Sequence, residues 1–315
     1  MRTYVLLVTM LLVRASCLFA GQSESIVKLE TKTGTLEGSL LVPKGKTGMP
    51  VVLIIAGSGP TDRDGNNPAM KNNSLKLLAT ALWKNGIASL RYDKRAIGKS
   101  STAGLKESEL RFEHYIKDAN GWIAFLKKDI RFSQLIVIGH SEGSLIGMIA
   151  SQEKGVDKFV SIAGVGQSAD KTLKDQLKTQ PPAVLEMSSP IIDKLVKGET
   201  VDNVNPMLYS LFRPSVQPYI ISWFKYDPVE EISKLKMPVL IIQGSTDIQV
   251  TEKDAKLLSR ANPTSKMKLI KGMNHILKEA ESDRIKNIAT YNQPELPVKP
   301  ELTETIVGFI KKSKK

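Results

Sequence analysis

Ser141 stands between two glycines in Gly139-His140-Ser141-Glu142-Gly143, where an apolar run (Leu135, Ile136, Val137, Ile138) meets a helix-spaced apolar segment that reaches Ala150. G-x-S-x-G alone is a weak signal and can mark an idle serine in a Gly-rich turn. A buried strand before it and a helix after it form the setting in which a serine hydroxyl is lifted out of a sheet as a nucleophile. Glycines are expected on both sides because a Cβ there would collide with the neighbouring strand and helix. A hydroxyl is a poor nucleophile near neutral pH and needs a base. The chain offers three histidines. His140 lies inside the turn and is expected to point away from Ser141. His114, in "FEHYIKD", reads as solvated or partly packed. His275, in "IKGMNHILK", directly follows the last predicted strand, at the edge where parallel sheets bind ligands. It is the expected general base.

A base needs an orienting carboxylate, and Asp247 ends "VLIIQGSTD" just beyond another strand. Asp254, expected to face solvent on a helix, and Asp227 are weaker choices. The resulting chain order is Ser, Asp, His. Charge developing on a substrate oxygen would be met by backbone N–H groups. Glu142, first residue of the helix, supplies one. The loop after "VVLIIAG" supplies the other from Ser58 or Gly59, with Ser58 preferred; Pro60 has no N–H.

These residues must be brought together by the elements around them. Residues 26–42 alternate apolar and polar about Thr33-Gly34 and predict an antiparallel hairpin. Strands are predicted at 50–59, 87–93, 135–138, 158–164, 238–247 and 267–272. Helices are predicted over about 74–84, 112–128, 252–261 and 301–312. Apolar strands alternating with amphipathic helices argue for a mostly parallel, doubly wound sheet covered on both faces. Residues 167–230 break this rhythm with helical patches, no convincing strand and several prolines. They read as a helical insertion, a cap or lid, between core segments 21–166 and 231–315. Met187, Met207, Leu211, Phe212, Trp223 and Phe224 make it apolar enough to cover an acyl pocket or to pack against the core.

At 315 residues, 41% hydrophobic and 24% charged, the chain has the composition of an ordinary globular protein. The net charge of +13 raises the question of nucleic acid. The lysines, however, are scattered, and no zinc-finger or aromatic-plus-basic motif accompanies them, so no nucleic-acid role is expected. Arg2, the apolar run Tyr4–Val13 and Ala20-Gly21 have the layout of a secretory signal peptide over residues 1–20. That predicts an exported protein, periplasmic or extracellular, with no stable membrane insertion once processed. Cys17, the only cysteine, sits in "RASC"; lipid anchoring there is the lesser alternative, because Arg14 stands where a lipobox wants Leu. Cleavage after Ala20 would leave no cysteine, and hence no disulfide or thiolate site. The histidines lie far apart and form no His-x-x-x-His array, so neither metal nor cofactor is expected.

"GSGPTDRDGN" (57–66), "RYDKRAIGKS" (91–100), "GHSEG" (139–143), "QGSTDIQV" (243–250) and "MNH" (273–275) occur together in this order. On these motifs the chain resembles the α/β-hydrolases, from about residue 26 to 315. Within them it is similar to bacterial serine esterases of the dienelactone-hydrolase and serine-aminopeptidase branches. The resemblance implies Ser141 as nucleophile, Asp247 as acid and His275 as base. It implies a small-molecule acyl ester, short or medium in chain, as substrate. An aminopeptidase, thioesterase or amidase would use the same three residues, and Glu142 could then hold a substrate amine. A non-catalytic binding protein would have no need of all three. The chain departs from relatives at Ala96, where they often carry glycine, and in lacking a His-Gly pair before the oxyanion loop. Asp62, Arg63 and Asp64 are expected to brace that loop by ion pairing, with contact to substrate as the alternative.

Overall fold

The computed structural model describes residues 23–45 and 47–312; the signal-peptide reading and Cys17 lie outside them. One sheet of eight strands organises the chain. They are β1 (Ser23–Thr31), β2 (Gly34–Val42), β3 (Met49–Ile55), β4 (Ala88–Tyr92), β5 (Phe132–His140), β6 (Lys158–Ile162), β7 (Val239–Gly244) and β8 (Lys266–Ile270). Their order across the sheet is β1-β2-β4-β3-β5-β6-β7-β8. β2 pairs antiparallel with both neighbours, and every pairing from β4 to β8 is parallel. The expected hairpin is present, with its turn one residue early: Lys32 and Thr33 form it, and Gly34 already opens β2. The predicted strands 50–59 and 238–247 end sooner, at Ile55 and Gly244, because their glycine-containing tails leave the ladder to build loops.

Eleven helices are described: α1 (Ser74–Lys84), α2 (Phe112–Lys127), α3 (Glu142–Ala150), α4 (Ala169–Leu177), α5 (Pro182–Val196), α6 (Tyr209–Phe212), α7 (Gln217–Trp223), α8 (Pro228–Ser233), α9 (Glu252–Ala261), α10 (Arg284–Ala289) and α11 (Pro300–Lys311). Strand periodicity of two explains how they cover both faces. Val51, Leu53 and Ile55 of β3 and Val239 and Ile241 of β7 join one cluster with α2, α3 and α9. Val52 and Ile54 of β3 and Leu240 and Ile242 of β7 join the other, with α1 and α11. Each fully buried Val, Leu or Ile contributes about 1.5–3 kcal/mol, so the two faces together dominate the stability.

Between β6 and β7 the described chain forms no strand, only helices α4 to α8 with a short 3-10 turn and connecting loops. Leu177, Ile191, Ile192, Leu195, Leu208, Phe212 and Ile220 make an apolar cluster of their own there. α7 is anchored on α2: Ser222 Oγ accepts from Phe112 N at 2.8 Å, and Trp223 stacks on Phe112 at 6.1 Å. None of the described helices is long and apolar enough to cross a membrane.

Asp62, Arg63 and Asp64 sit in the long loop between β3 and α1. Arg63 pairs with Glu37 (2.6 Å) and Asp93 (2.7 Å), and its backbone N–H donates to Asp93 Oδ1 at 2.7 Å. Asp64 pairs with the buried Arg91 at 2.9 Å. Asp62 Oδ1 accepts the N–H groups of Asp64 (2.9 Å) and Asn66 (2.8 Å). Arg63 and Asp64 thus tie the loop to β2 and β4 by ion pairs, as expected, whereas Asp62 forms no ion pair among the described residues and braces the loop from within.

Ala96, in the turn after β4, has φ +67°. A Cβ in this left-handed region costs about 1–2 kcal/mol, partly offset by the freer unfolded chain that glycine would give. Ala96→Gly is therefore expected to raise unfolding free energy by about 0.5–1 kcal/mol in urea titrations; an unchanged or lower midpoint would contradict this account of the turn.

Candidate active site

The parallel strands all end at one edge of the sheet, and the singled-out residues follow those ends. Ser141 follows β5 directly, Ser58 lies three residues after β3, Asp247 three after β7 and His275 five after β8. Ser141 has φ +54° and ψ −124°, a conformation few side-chain-bearing residues adopt. Its neighbours show why the turn is built on glycine. A Cβ on Gly139 would lie 2.2 Å from the Gly143 carbonyl oxygen, and one on Gly143 would lie 2.4 Å from that of Ile55. Helix α3 thus starts against the backbone of β3 and β5, as the sequence led one to expect. The Ser141 N–H donates to the Ile162 carbonyl at 3.0 Å, which ties the turn to β6.

His275 and Asp247 meet. Nδ1 of His275 lies 2.8 Å from Asp247 Oδ2, and both side chains are buried. Burial alone would raise the Asp247 carboxyl. The adjacent His275 and the N–H groups of Val250 and Gln249 outweigh it, so the group titrates below its ordinary value. Those N–H donors reach Asp247 Oδ1 at 3.0 and 2.8 Å, and Gln243 Nε2 reaches Oδ2 at 3.2 Å. Because the carboxylate accepts from Nδ1–H, Nε2 of His275 is left as the basic nitrogen. His275 and Ser141 line one cavity of about 100 Å³, together with Ser58, His140, Met70, Ile276 and Tyr291. The structure therefore assembles Ser141, His275, Asp247 and Ser58 at a single site.

Glu142 is the first residue of α3, where a backbone N–H has no partner within the helix. Its side chain, however, is turned into the core. Lys94 Nζ lies 3.2 Å from Oε2, and the Tyr219 hydroxyl donates to Oε1. The carboxylate is thus unavailable to hold a substrate amine, against that sequence expectation. Asp254 does not face solvent either. It is buried, accepts from the N–H and hydroxyl of Thr251 at 3.0 and 2.8 Å, and so caps α9. Asp227 caps α8, accepting from Val229 N at 2.9 Å. His114 accepts from Arg111 N at the start of α2. No residue of 167–230 lines the cavity. Phe212 packs inside the insertion's own cluster, and Met207 is 71% exposed.

Two positioning residues were not recognised in the sequence. His140 does not turn away from the site: its ring lies 4.8 Å from that of His275, and Nε2 is 2.8 Å from the His275 carbonyl oxygen. Facing a carbonyl, Nε2 must carry the hydrogen. Burial first, and the neighbouring His275 second, push the ring down to about 3. His140 is a neutral peg under the loop that carries His275. Asn274 holds the same loop, donating to Thr290 Oγ1 at 2.8 Å and accepting from Lys278 N at 3.0 Å. "MNH" carried that signal only as part of a motif.

Comparison with known proteins follows this geometry. Residues 71–219 match the family model described as serine aminopeptidase, S33, a span holding Ser141 but not Asp247 or His275. The chain is 29% identical over 267 residues to esterase EstD of Thermotoga maritima, covering 82% of this chain. It spans 62% of the length of that curated relative. Among solved structures, Est1E from Butyrivibrio proteoclasticus superposes with a TM-score of 0.59 at 16% identity, covering 91% of this chain and 99% of that one. The α/β hydrolase GrgF from Penicillium sp. sh18 does so at 0.62 and 17% identity, covering 92% and 98%. At these identities the structural likeness speaks for the fold.

The His140 environment carries a pH signature. A histidine whose pKa falls on folding is matched by an unfolded chain that binds more protons, so stability drops as pH falls from about 6.5 towards 3. Asp247, held low, contributes stability above its unfolded value that is lost only in stronger acid. His140→Gln, which can still donate to the His275 carbonyl, is expected to flatten the urea-measured stability slope between pH 6 and 4 by up to ~1.4 kcal/mol per pH unit. An identical slope in the variant would show that His140 is not buried neutral.

Proposed function

We propose, on the α/β-hydrolase fold and the likeness to an esterase, that the chain is a serine carboxylesterase that cleaves short acyl esters through Ser141, His275 and Asp247. One observation carries the reading: a serine held at φ +54° shares a cavity with a histidine that is hydrogen-bonded by Nδ1 to a buried carboxylate. Ser141 Oγ attacks the ester carbonyl while His275 Nε2 takes its proton. The N–H groups of Glu142 and Ser58 receive the charge that develops on the carbonyl oxygen. His275 then returns the proton to the departing alcohol, and water releases the acid by the same steps in reverse. Asp247 keeps the imidazole in the productive tautomer and balances its charge when protonated.

The size of the cavity, about 100 Å³, favours an acetyl-sized acyl group over a long one. Engagement of the Glu142 carboxylate by Lys94 and Tyr219 removes the acidic group that an aminopeptidase reading would use. We also read the chain as exported, on Arg2 and the apolar run that follows it. Protein recovered outside the cytoplasm is then about 20 residues shorter than its gene product.

Steady hydrolysis of p-nitrophenyl acetate is expected, with kcat/KM falling at least tenfold by the octanoate. Ser141→Ala should abolish turnover and labelling by a fluorophosphonate. Asp247→Asn should lower kcat by roughly 10³–10⁴-fold, since an amide cannot fix the tautomer. An active Ser141→Ala protein would sink the assignment.

A further inference from the structure

Lys94, which follows β4, is a lysine with a 1% exposed side chain, lying directly behind the two N–H groups assigned to the oxyanion. Its ammonium donates to the Gly57 carbonyl at 2.5 Å and to Glu142 Oε2 at 3.2 Å, and it sits 5.0 Å from the centre of the Tyr115 ring. Gly57 and Ser58 share one peptide unit. In a trans peptide the C=O and N–H point in opposite directions. Holding the Gly57 oxygen on the core side therefore aims the Ser58 N–H to the other side, and Ser58 lines the cavity with Ser141. The second partner of Lys94 is the side chain of Glu142, whose backbone N–H is the other donor. Both halves of the oxyanion site thus hang on one nitrogen.

We propose that Lys94 is a positioning residue that sets the Gly57–Ser58 peptide plane and locks it to the start of α3, so that both N–H donors converge before substrate arrives. The inference rests on the serine-hydrolase reading above. A hydrogen bond from an ammonium also polarises the Gly57–Ser58 amide and makes its N–H a stronger donor. Gly57 stands close to the nucleophile, since a Cβ on it would lie 3.1 Å from that of Ser141. Rotation of the peptide plane would replace a donor with a carbonyl oxygen. Tyr219 of α7, bonded to Glu142, extends the bracket to the helical insertion.

Removing Lys94 alone would leave a buried carboxylate unpaired, so the test uses Lys94→Met/Glu142→Gln beside Glu142→Gln. Each is normalised to folded protein by circular dichroism and to active sites by the acyl-enzyme burst. The double variant is expected to lose a further 10- to 100-fold in kcat for p-nitrophenyl acetate relative to Glu142→Gln, with KM within threefold. Its affinity for a trifluoromethyl ketone, whose adduct places an oxyanion in the site, should fall by the same factor. Its pH–rate midpoint should stay in place. Equal kcat in the two variants overturns the assignment, as does a loss that tracks the folded fraction or spares the ketone. A wild-type chain that neither cleaves the ester nor is labelled at Ser141 would instead remove the hydrolase reading beneath it.

Discussion

Backbones pack very closely where α3 starts. Gly139 and Gly143 bring the backbones of β3, β5 and α3 so near that a single added carbon at either would stand well inside van der Waals contact. This crowding forces the chain through an abrupt reversal, and Ser141 carries the reversal at positive φ. A side-chain-bearing residue held there costs about 1–3 kcal/mol and persists only where its surroundings over-determine it. They do so here: β5 is hydrogen-bonded on both sides, to β3 and β6, and the Ser141 N–H is itself bonded to the Ile162 carbonyl. The strain of the turn is therefore held by the most deeply buried part of the sheet.

From that anchor the rest of the site follows through strand direction. Parallel strands deliver their ends to the same edge, so loops from β3, β5, β7 and β8 meet without any long excursion of the chain. Each loop is then fixed by a different device. The β3 loop is tied by Arg63 and Asp64 to charges on β2 and β4. Asp247 is held by two backbone N–H groups and an amide. The His275 loop rests on His140 from beneath and on Asn274 from within.

What the sequence discloses and what it conceals divide along the same lines. The continuous apolar runs "VVLIIA" and "VLII" name strands because their side chains alternate between two apolar layers. The helix over 74–84 is equally legible from its spacing. Ser141, Asp247 and His275 were accessible because their chemistry is distinctive and their places follow strands. Contacts that depend on tertiary convergence were not legible. Asp254 lies on an amphipathic helix and reads as solvent-facing, yet its position in the first turn made it a cap for Thr251. Glu142 beside the nucleophile suggested a substrate anchor. Nothing local in the sequence announces that Lys94, 48 positions earlier, would turn its side chain inward.

The helical insertion bears on the site in a way its composition did not suggest. Its apolar residues point to a cover over the acyl pocket, yet Phe212 and its neighbours pack on one another. Its links with the rest of the molecule lie elsewhere. α7 leans on α2 through Ser222 and Trp223, and α4 reaches the loop after β7 through Gln176, whose amide donates to the Gln249 carbonyl at 3.3 Å. Tyr219 adds a hydrogen bond to Glu142, one residue beyond Ser141. Through that bond the insertion touches the Ser141 turn from behind rather than roofing the cavity. The buried hydroxyl is held far above its ordinary titration range by burial first and by the Glu142 charge second, so it remains a donor at neutral and moderately alkaline pH. A helix docked by a permanent donor to the residue after Ser141 is a strut, and a strut explains why the insertion keeps a dense core of its own: a brace transmits position only if it is itself rigid.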